Sequence, residues 1–258
     1  MHDLSRGDPP SGRPLVLGHR GASADAPENT LAAFALAVER GADGVELDVW
    51  RCGTGEVVVH HDADTGRTCG EALRLSSASL GALRRLDAGA WKGSRFAGER
   101  IPTLAEVLDA LPRAVVNVEL KSSGLPDLAL ARVVAAVVCE AGAEERVVAS
   151  SFDPVLLAAF RLAAPGVPAG LLFSAERGWR ARAWAGIAIA RPTAVHPHHR
   201  LVTAEHAAAW AHRGLAVNTW TVDDPVEARR LAALGVAALI TNRPAAVLEA
   251  LASGGGER

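Results

Sequence analysis

The stretch Gly44-Val45-Glu46-Leu47-Asp48-Val49 is the most informative part of this sequence. Its aliphatic residues alternate with Glu46 and Asp48, and a period of two predicts a β-strand that carries both carboxylates on one face. The apolar sequence around it favours a strand inside the fold, where neighbouring carboxylates repel each other and lose hydration. A cation held between the two carboxylates would offset both costs, whereas the alternative is an ordinary solvated face.

The composition indicates a globular protein with a large core. The chain has 258 residues, 49% of them hydrophobic, which suits a single α/β barrel domain. A formal net charge of −2 and the lack of a lysine/arginine block argue against nucleic acid as a partner. Three cysteines without a CxxC spacing predict reduced thiols. No segment resembles a signal peptide or a membrane span, so we expect a cytoplasmic protein without stable membrane insertion. The sequence does not indicate an oligomeric state.

Strand patterns and amphipathic helix patterns alternate along the chain. The predicted strands are 15–17, 45–49, 115–121, 146–150, 169–173, 194–196, 215–222 and 237–240, with an extra strand at 56–60. The predicted helices are 31–40, 103–111, 127–141, 153–162, 179–189, 203–213, 224–234 and 244–251. Glu106, three residues after Thr103, predicts a capping box at the start of the second helix.

Eight successive β-α units predict an α/β fold in which parallel strands close into a (β/α)8 TIM barrel. The alternative is an open doubly wound sheet, although no GxGxxG follows the first strand. Residues 63–100 break the alternation and are predicted to form a small insertion, or cap, after the second strand region. The predicted organisation is a flexible tail over 1–13, a single barrel domain over 14–252 and a second flexible tail over 253–258.

Polar residues lie near the carboxyl ends of several predicted strands. Because the catalytic groups of TIM barrels gather at these ends, we expect the side chains to converge on one mouth of the barrel. The residues are His19, Arg20, Glu46, Asp48, His61, Glu119, Lys121, Asn218 and Trp220.

The acidic members of this group suggest a metal site. Glu46, Asp48 and Glu119 form an all-oxygen ligand set that suits a hard divalent cation such as Mg²⁺ or Ca²⁺. Arg20 and Lys121 could balance these charges by simple ion pairing. Alternatively, the two cations and the metal could together neutralise a phosphoryl group.

Histidines supply candidates for proton transfer. His19 and His61 titrate near neutral pH and could act on the two sides of a displacement. His196, His198 and His199 have a spacing seen in zinc sites, but no carboxylate neighbours them in sequence, so a packing role is favoured there.

Two further segments are candidates for the rim of the mouth. Trp91, in the insertion, could cover the pocket. Asn242-Arg243-Pro244 leads into the last helix, where it could contact a phosphate or, as we favour, act as a helix cap.

The sequence as a whole resembles the glycerophosphodiester phosphodiesterase family. The matching motifs occur in the family's order and span Leu15 to Pro244. They are Gly18-His19-Arg20-Gly21, Pro27-Glu28-Asn29-Thr30, Gly41-Ala42-Asp43-Gly44-Val45-Glu46-Leu47-Asp48-Val49, His61-Asp62, Leu86-Asp87-Ala88-Gly89, Ile101-Pro102-Thr103-Leu104, Glu119-Leu120-Lys121, Trp220-Thr221-Val222 and Ile240-Thr241-Asn242-Arg243-Pro244.

The resemblance implies a TIM barrel with an inserted cap and assigns roles of three kinds: metal ligation, general acid–base catalysis and substrate binding. It implies metal ligation by Glu46, Asp48 and Glu119 and general acid–base catalysis by His19 and His61. It also implies substrate binding by Arg20, Lys121 and Trp220.

The implied reaction is the metal-dependent hydrolysis of a glycerophosphodiester to sn-glycerol 3-phosphate and an alcohol. The sequence leaves open which histidine is the base, and whether water or a glycerol hydroxyl attacks first. Ala63 stands where the family usually has a proline, and the loop to Gly70 is short, which leaves the alcohol open. The alternatives are a phosphodiesterase acting on lysophospholipids or sugar-phosphate diesters, and a non-catalytic phosphate-ligand binder, against which the complete set of histidines and carboxylates argues.

Overall fold

A computed structural model describes residues 12–253, which form nine β-strands and ten α-helices. The strands are β1 (Leu15–His19), β2 (Gly44–Arg51), β3 (Val57–Val59), β4 (Val115–Leu120), β5 (Val147–Ser151), β6 (Ala169–Phe173), β7 (Ala194–Pro197), β8 (Ala216–Thr219) and β9 (Ala238–Thr241). The helices are α1 (Leu31–Glu39), α2 (Gly66–Cys69), α3 (Leu80–Leu83), α4 (Leu104–Ala110), α5 (Leu128–Glu140), α6 (Pro154–Ala163), α7 (Trp179–Ala190), α8 (Ala204–Ala211), α9 (Pro225–Ala233) and α10 (Pro244–Ser253).

Eight of the strands form a closed parallel barrel. The sheet order is β1-β9-β8-β7-β6-β5-β4-β2-β3, and the additional pairing of β1 with β2 closes it. Among the strands within residues 12–253, only β3 is antiparallel, and it pairs with the end of β2. The predicted TIM barrel is confirmed, and the doubly wound alternative is wrong because an open sheet would leave β1 and β2 unpaired.

The predicted tails fall mostly on residues 1–11 and 254–258, which lie outside the described residues. The domain boundaries that we place at residues 14 and 252 stay a prediction. Within residues 12–253, no helix combines the length and the apolar character needed to cross a bilayer.

Helix starts follow from local side-chain chemistry. The Thr103 hydroxyl accepts a hydrogen bond from the Glu106 backbone N–H, and the Glu106 carboxylate accepts one from the Thr103 N–H, which confirms the predicted capping box of α4. Asp153 and Asp224 cap α6 and α9, each followed by a proline at the first helical position.

A close backbone approach fixes the pairing of β2 with β4. A Cβ added at Gly44 would lie 1.9 Å from the carbonyl oxygen of Val115, so only glycine fits at this position. The register that results places Asp48 beside Glu119 and Glu46 beside Asn117.

The insertion has its own small core. Its buried side chains Leu75 and Leu83 belong to an apolar cluster that Cys52, Val58 and Ile101 of the flanking chain complete. Lys92 Nζ donates a hydrogen bond to the Ser23 carbonyl at 2.7 Å, and Arg95 donates one to the Asp25 carbonyl at 3.0 Å. These bonds attach the insertion to the loop that joins β1 to α1.

One predicted strand, 215–222, is longer than the observed β8, which ends at Thr219. After Thr219 the chain leaves the barrel and the Trp220 indole Nε1 donates a hydrogen bond to the His196 carbonyl at 2.8 Å. Trp220 therefore belongs to the loop above the strand.

Candidate active site

Three buried carboxylates meet at the carboxyl end of β2 and β4. Glu46, Asp48 and Glu119 are 4%, 1% and 8% exposed, so the solvated-face alternative is wrong. Each offers an oxygen within 4.8 Å of the others. The parallel register of β2 and β4 brings them together, because it sets Asp48 directly beside Glu119.

Two cations contact this acidic cluster. Lys121 Nζ lies 2.9 Å from Glu119 Oε1 and 3.2 Å from Asp48 Oδ1. Arg20 Nε lies 3.3 Å from Asp48 Oδ2, and its Nη1 lies 2.9 Å from Glu28 Oε1. Arg20 and Lys121 therefore balance part of the carboxylate charge, and both side chains lie at the mouth of the barrel.

An asparagine from a distant loop holds Asp48 in place. Asn29 is buried, and its Nδ2 donates a hydrogen bond of 2.8 Å to Asp48 Oδ2. Its backbone adopts the left-handed region with φ 58°, as does Arg20 with φ 56°. Asparagine tolerates this conformation better than most residues, so the loop can turn its side chain back towards β2.

The carboxylates differ in how easily they ionise. Burial, followed by the charges of Asp48 and Glu119, raises the pKa of Glu46 well above its usual range. Burial and the charge of Asp48 raise the pKa of Glu119 to about 7. Burial would also raise the pKa of Asp48, but Lys121 and Arg20 hold it below its usual range.

These observations fit a divalent cation. When all three carboxylates are ionised, the buried cluster has more negative charge than Arg20 and Lys121 supply, since Arg20 is shared with Glu28. Burial first, and then the charges of the neighbouring carboxylates, raise the pKa values of Glu46 and Glu119, and a bound cation would offset both effects. An all-oxygen donor set suits Mg²⁺ or Ca²⁺.

His19 stands beside the cluster with its ring nitrogens in distinct roles. Its Nδ1 lies 2.7 Å from Asn242 Oδ1, and its Nε2 lies 3.9 Å from Glu46 Oε2. Asp223 accepts a hydrogen bond of 2.6 Å from Asn242 Nδ2 and one of 2.8 Å from the Asn242 backbone N–H. A carboxylate only accepts, so Asn242 must present its oxygen to His19, and the ring proton lies on Nδ1.

The second histidine is oriented by a carboxylate. His61 Nδ1 lies 2.7 Å from Asp62 Oδ1. Arg67, from the insertion, donates to Asp62 Oδ2 at 2.6 Å and to both carboxylate oxygens of Glu28 at 2.9 and 2.8 Å. One arginine of the insertion therefore contacts the partner of His61 and the partner of Arg20.

Both histidines favour the neutral form. Burial, and then the charge of Arg20, lowers the pKa of His19 to about 4. Burial also lowers the pKa of His61 below its usual value. A neutral ring whose proton lies on Nδ1 presents a lone pair on Nε2, which suits a general base.

A cavity of about 230 Å³ opens over these groups. Its polar half is formed by residues on or just after the first five strands, β1 to β5, and its apolar half by Phe152, Leu172, Trp220 and Ile240. The rings of Phe152 and Trp220 meet edge to face with centroids 5.6 Å apart. The cavity therefore pairs a charged wall with an aromatic one.

Comparison with known proteins identifies the family. The family model described as "Glycerophosphoryl diester phosphodiesterase family" matches residues 19–246. This chain belongs to that family. Its resemblance to these enzymes, and the enzyme class that the resemblance implies, are thereby confirmed.

Relatives and solved structures agree with the family assignment. A glycerophosphodiester phosphodiesterase of Caldanaerobacter subterraneus subsp. tengcongensis is 34% identical over 243 residues, which cover 93% of this chain and 99% of that protein. A phosphodiesterase of Oleispira antarctica, solved in complex with the product sn-glycerol-3-phosphate, has a TM-score of 0.85 at 28% identity and covers 94% of this chain and 98% of its own. A glycerophosphodiester phosphodiesterase of Thermotoga maritima has a TM-score of 0.73 at 28% identity, covering 92% and 97%.

In this member of the glycerophosphoryl diester phosphodiesterase family, the eight residues expected at the site lie together. Seven line the 230 Å³ cavity, and they are His19, Arg20, Glu46, His61, Glu119, Lys121 and Trp220. Asp48 lies beneath them, in contact with Arg20 and Lys121. Of the rim candidates, Trp91 is half-exposed beside a neighbouring cavity that His19 and Arg20 also line.

His196, His198 and His199 form no metal site within residues 12–253, where the only group with converging ligand atoms is the carboxylate trio. His196 is buried and its Nε2 accepts a hydrogen bond of 2.9 Å from Asn218 Nδ2, while its ring fills the space that a Cβ at Gly170 would need. His199 pairs with Glu227 at 2.9 Å. The packing role favoured from the sequence agrees with this arrangement.

Sequence reasoning missed several residues that position the site. Local patterns single out neither Asn29 nor Asp223 nor Phe152, and they favour Asn242 only as a helix cap. The only sequence signal for Asn29 and Asn242 is their place inside the family motifs.

Proposed function

We propose that this chain hydrolyses glycerophosphodiesters to sn-glycerol 3-phosphate and an alcohol, with a divalent cation held by Glu46, Asp48 and Glu119. One observation carries the proposal. The register of β2 and β4 brings three buried carboxylates to one mouth, where Arg20 and Lys121 already contact them.

The chain's own cations would bind the phosphodiester. Arg20 and Lys121 lie on the cavity wall and would contact the nonbridging phosphoryl oxygens, orienting the phosphorus between the two histidines. When bound, the divalent cation would add charge that stabilises the developing phosphoryl oxyanion. Arg20 and Lys121 share that task because they remain next to the reacting group.

His19 and His61 would move the protons. One ring accepts a proton from the attacking oxygen while that oxygen bonds to phosphorus. The other ring enters the step in its protonated form and donates its Nε2 proton to the departing alkoxide as the second P–O bond breaks. Their Nδ1 hydrogen bonds to Asn242 and Asp62 leave Nε2 free on each ring for this exchange.

Trp220 would form an apolar wall for the glycerol moiety. Its indole is fixed by the hydrogen bond to the His196 carbonyl and by edge contact with Phe152. The Oleispira antarctica relative binds sn-glycerol-3-phosphate as its product, which supports the same product here. We place the reaction in the glycerol and lipid metabolism of the cytoplasm, in keeping with the three free cysteines.

The proposal is tested by measuring sn-glycerol 3-phosphate released from glycerophosphocholine. Activity should vanish after exhaustive treatment with EDTA and return with Mg²⁺ or Ca²⁺, and activity that survives complete metal removal contradicts the three-carboxylate site. His19→Ala and His61→Ala should each lower kcat by about two orders of magnitude or more while the fold persists by circular dichroism. Normal turnover in either variant would refute that histidine's role.

A further inference from the structure

One side chain of the insertion contacts two separate parts of the active site. Arg67 lies on α2, and its Nε donates a hydrogen bond of 2.6 Å to Asp62 Oδ2. Its two terminal nitrogens donate bonds of 2.9 and 2.8 Å to the two carboxylate oxygens of Glu28. The guanidinium therefore uses three donors on two carboxylates, a planar fork that a lysine ammonium does not reproduce.

The first of these carboxylates orients His61. Asp62 Oδ1 lies 2.7 Å from His61 Nδ1, while the other oxygen of Asp62 accepts from Arg67. The side chains of His61 and Asp62 are each 31% exposed, so packing alone leaves them room to rotate. Because Arg67 holds one oxygen of the carboxylate, the other oxygen stays directed at the ring. The bond to Arg67 thus restrains His61 at the wall of the cavity.

The second carboxylate is shared between Arg67 and Arg20. Glu28 Oε1 accepts a hydrogen bond of 2.9 Å from Arg20 Nη1 as well as the bond from Arg67 Nη2. Burial opposes ionisation of Glu28, but the two arginines hold its pKa at about 2. Without Arg67, both oxygens of Glu28 would become available to Arg20 and would draw its guanidinium away from the phosphodiester. Arg67 therefore limits how strongly Glu28 binds Arg20.

The turn that carries Arg67 is itself attached to the residues on either side of His61. Thr68 is buried, and its Oγ1 lies 2.9 Å from His60 Nε2. His60 Nδ1 lies 2.9 Å from the Asp62 carbonyl oxygen, which only accepts, so this ring nitrogen carries a proton. The Arg67 side chain therefore starts from a fixed backbone, unlike an arginine in an ordinary mobile surface ion pair.

We propose that Arg67 is a positioning residue for the reaction, because by holding Asp62 and Glu28 it sets the orientation of both His61 and Arg20. The inference rests on the proposed function, which assigns proton transfer to His61 and phosphate binding to Arg20. Arg67 acts through these two residues and needs no contact with the substrate.

Steady-state kinetics with glycerophosphocholine test the inference. Arg67→Ala should lower kcat/KM by about 10- to 100-fold, the range typical of partners that orient the groups of a site. Both constants should change: kcat should fall because His61 loses its orientation, and KM should rise because Glu28 draws Arg20 away. Values of kcat and KM within about twofold of wild type in folded Arg67→Ala overturn the inference.

Rescue distinguishes positioning from a general effect on the fold. Arg67→Lys keeps the charge but not the fork, and it should recover only part of the lost activity. Guanidinium ions, at concentrations far below those that unfold proteins, should restore part of the activity of Arg67→Ala, because the Arg67 side chain is 46% exposed and its place is open to solvent. Full activity in Arg67→Lys shows that only the charge matters and contradicts the role of the fork.

Arg84 supplies the matched control. It belongs to the same insertion and pairs with Glu106, in the capping box of α4 and outside the lining of the cavity. Arg84→Ala should therefore lower the urea midpoint but keep kcat and KM within about twofold, without a response to guanidinium. Equal kinetic effects of Arg67→Ala and Arg84→Ala contradict a specific role for Arg67.

Double variants show whether Arg67 acts through its two partners. If it does, adding Arg67→Ala to Asp62→Asn should lower kcat by less than it does in the wild-type protein, and adding it to Glu28→Gln should raise KM by less. Fully additive effects in both pairs contradict the proposed route.

The ¹⁵N chemical shifts of the His61 ring separate this inference from the proposed function. The wild-type ring should be one tautomer with its proton on Nδ1, where the Asp62 carboxylate accepts it. Arg67→Ala should move the signals towards the average of the two tautomers, and Arg84→Ala should leave them unchanged. That result without turnover of any diester by the wild-type protein supports the positioning role and contradicts the proposed function. Turnover of glycerophosphocholine with His61 signals and kinetics unchanged in Arg67→Ala contradicts this inference alone.

Discussion

Replacing Asn242 with alanine should slow turnover and leave substrate binding nearly unchanged. The Asn242 side-chain oxygen accepts the hydrogen bond of 2.7 Å from His19 Nδ1, and Asp223 holds the amide so that this oxygen faces the ring. Asn242 does not line the cavity where the phosphodiester is proposed to bind. The substitution therefore acts on the orientation and tautomer of His19 rather than on substrate contacts.

The expected size follows from the hydrogen bond that is lost. Alanine leaves the Nδ1–H of His19 without its acceptor in a largely buried position, and an unpaired buried donor costs about 1–3 kcal/mol. Since 1.4 kcal/mol corresponds to a factor of ten, kcat should fall by about 5- to 150-fold. KM should stay within about twofold, because the phosphate and glycerol contacts remain.

The assay is steady-state release of sn-glycerol 3-phosphate from glycerophosphocholine, together with ¹⁵N chemical shifts of the His19 ring. Ser23→Ala is the matched control, because Ser23 Oγ donates the other hydrogen bond, of 2.8 Å, to the same Asn242 oxygen. That variant should keep kcat within about twofold, since the two hydrogen bonds to Asp223 still hold Asn242 in place. Wild-type kcat in Asn242→Ala, or an unchanged His19 tautomer, would refute the reasoning.

Three further predictions concern stability and metal binding. Gly44→Ala should lower the free energy of unfolding by about 1–3 kcal/mol or prevent folding, because the added Cβ would meet the Val115 carbonyl. The control is Gly81→Ala, where the added Cβ would enter open space, and it should change the free energy of unfolding by less than about 1 kcal/mol in urea titrations. Glu119→Gln should weaken Mg²⁺ and Ca²⁺ binding by about tenfold or more in calorimetry, and unchanged affinity would exclude Glu119 as a ligand. Burial opposes ionisation of Glu28, but its arginine partners hold its pKa at about 2, below the unfolded value of about 4.3. The stabilisation from ionised Glu28 is therefore present above pH 4.3 and is lost as the pH falls towards 2. Glu28→Gln should flatten the dependence of the urea midpoint on pH in that window.

The fold was predictable because its signals are local. Alternating strand and helix patterns, Thr103 with Glu106 as a capping box and proline after Asp153 each depend on a few consecutive residues. In the strand Gly44–Arg51, the alternation of apolar and acidic residues alone predicts that two carboxylates share one face. Once the elements predict a parallel barrel, the polar residues at the carboxyl ends of its strands are also predicted to meet at one mouth.

The rest of the site depends on contacts between residues that are far apart in the sequence, which no local pattern predicts. Asn29 reaches Asp48 only because its loop turns back over β2, and Asp223 reaches Asn242 only because the β8 and β9 loops are neighbours in the closed barrel. The aromatic wall of the catalytic cavity likewise forms only where Phe152 and Trp220, from two separate loops, meet edge to face. Such contacts are set by tertiary packing, so they became visible only in the folded chain.

The contacts of Arg67 have a consequence for exchanging parts between members of this family. This side chain belongs to the insertion, yet it bridges Glu28 and Asp62, which in turn hold Arg20 and His61. The insertion is therefore not an independent module that can be cut out and replaced by a loop from a relative. A transplanted loop will support the reaction only if it brings a cation to the same place, which makes Arg67 the first position to match in any chimera.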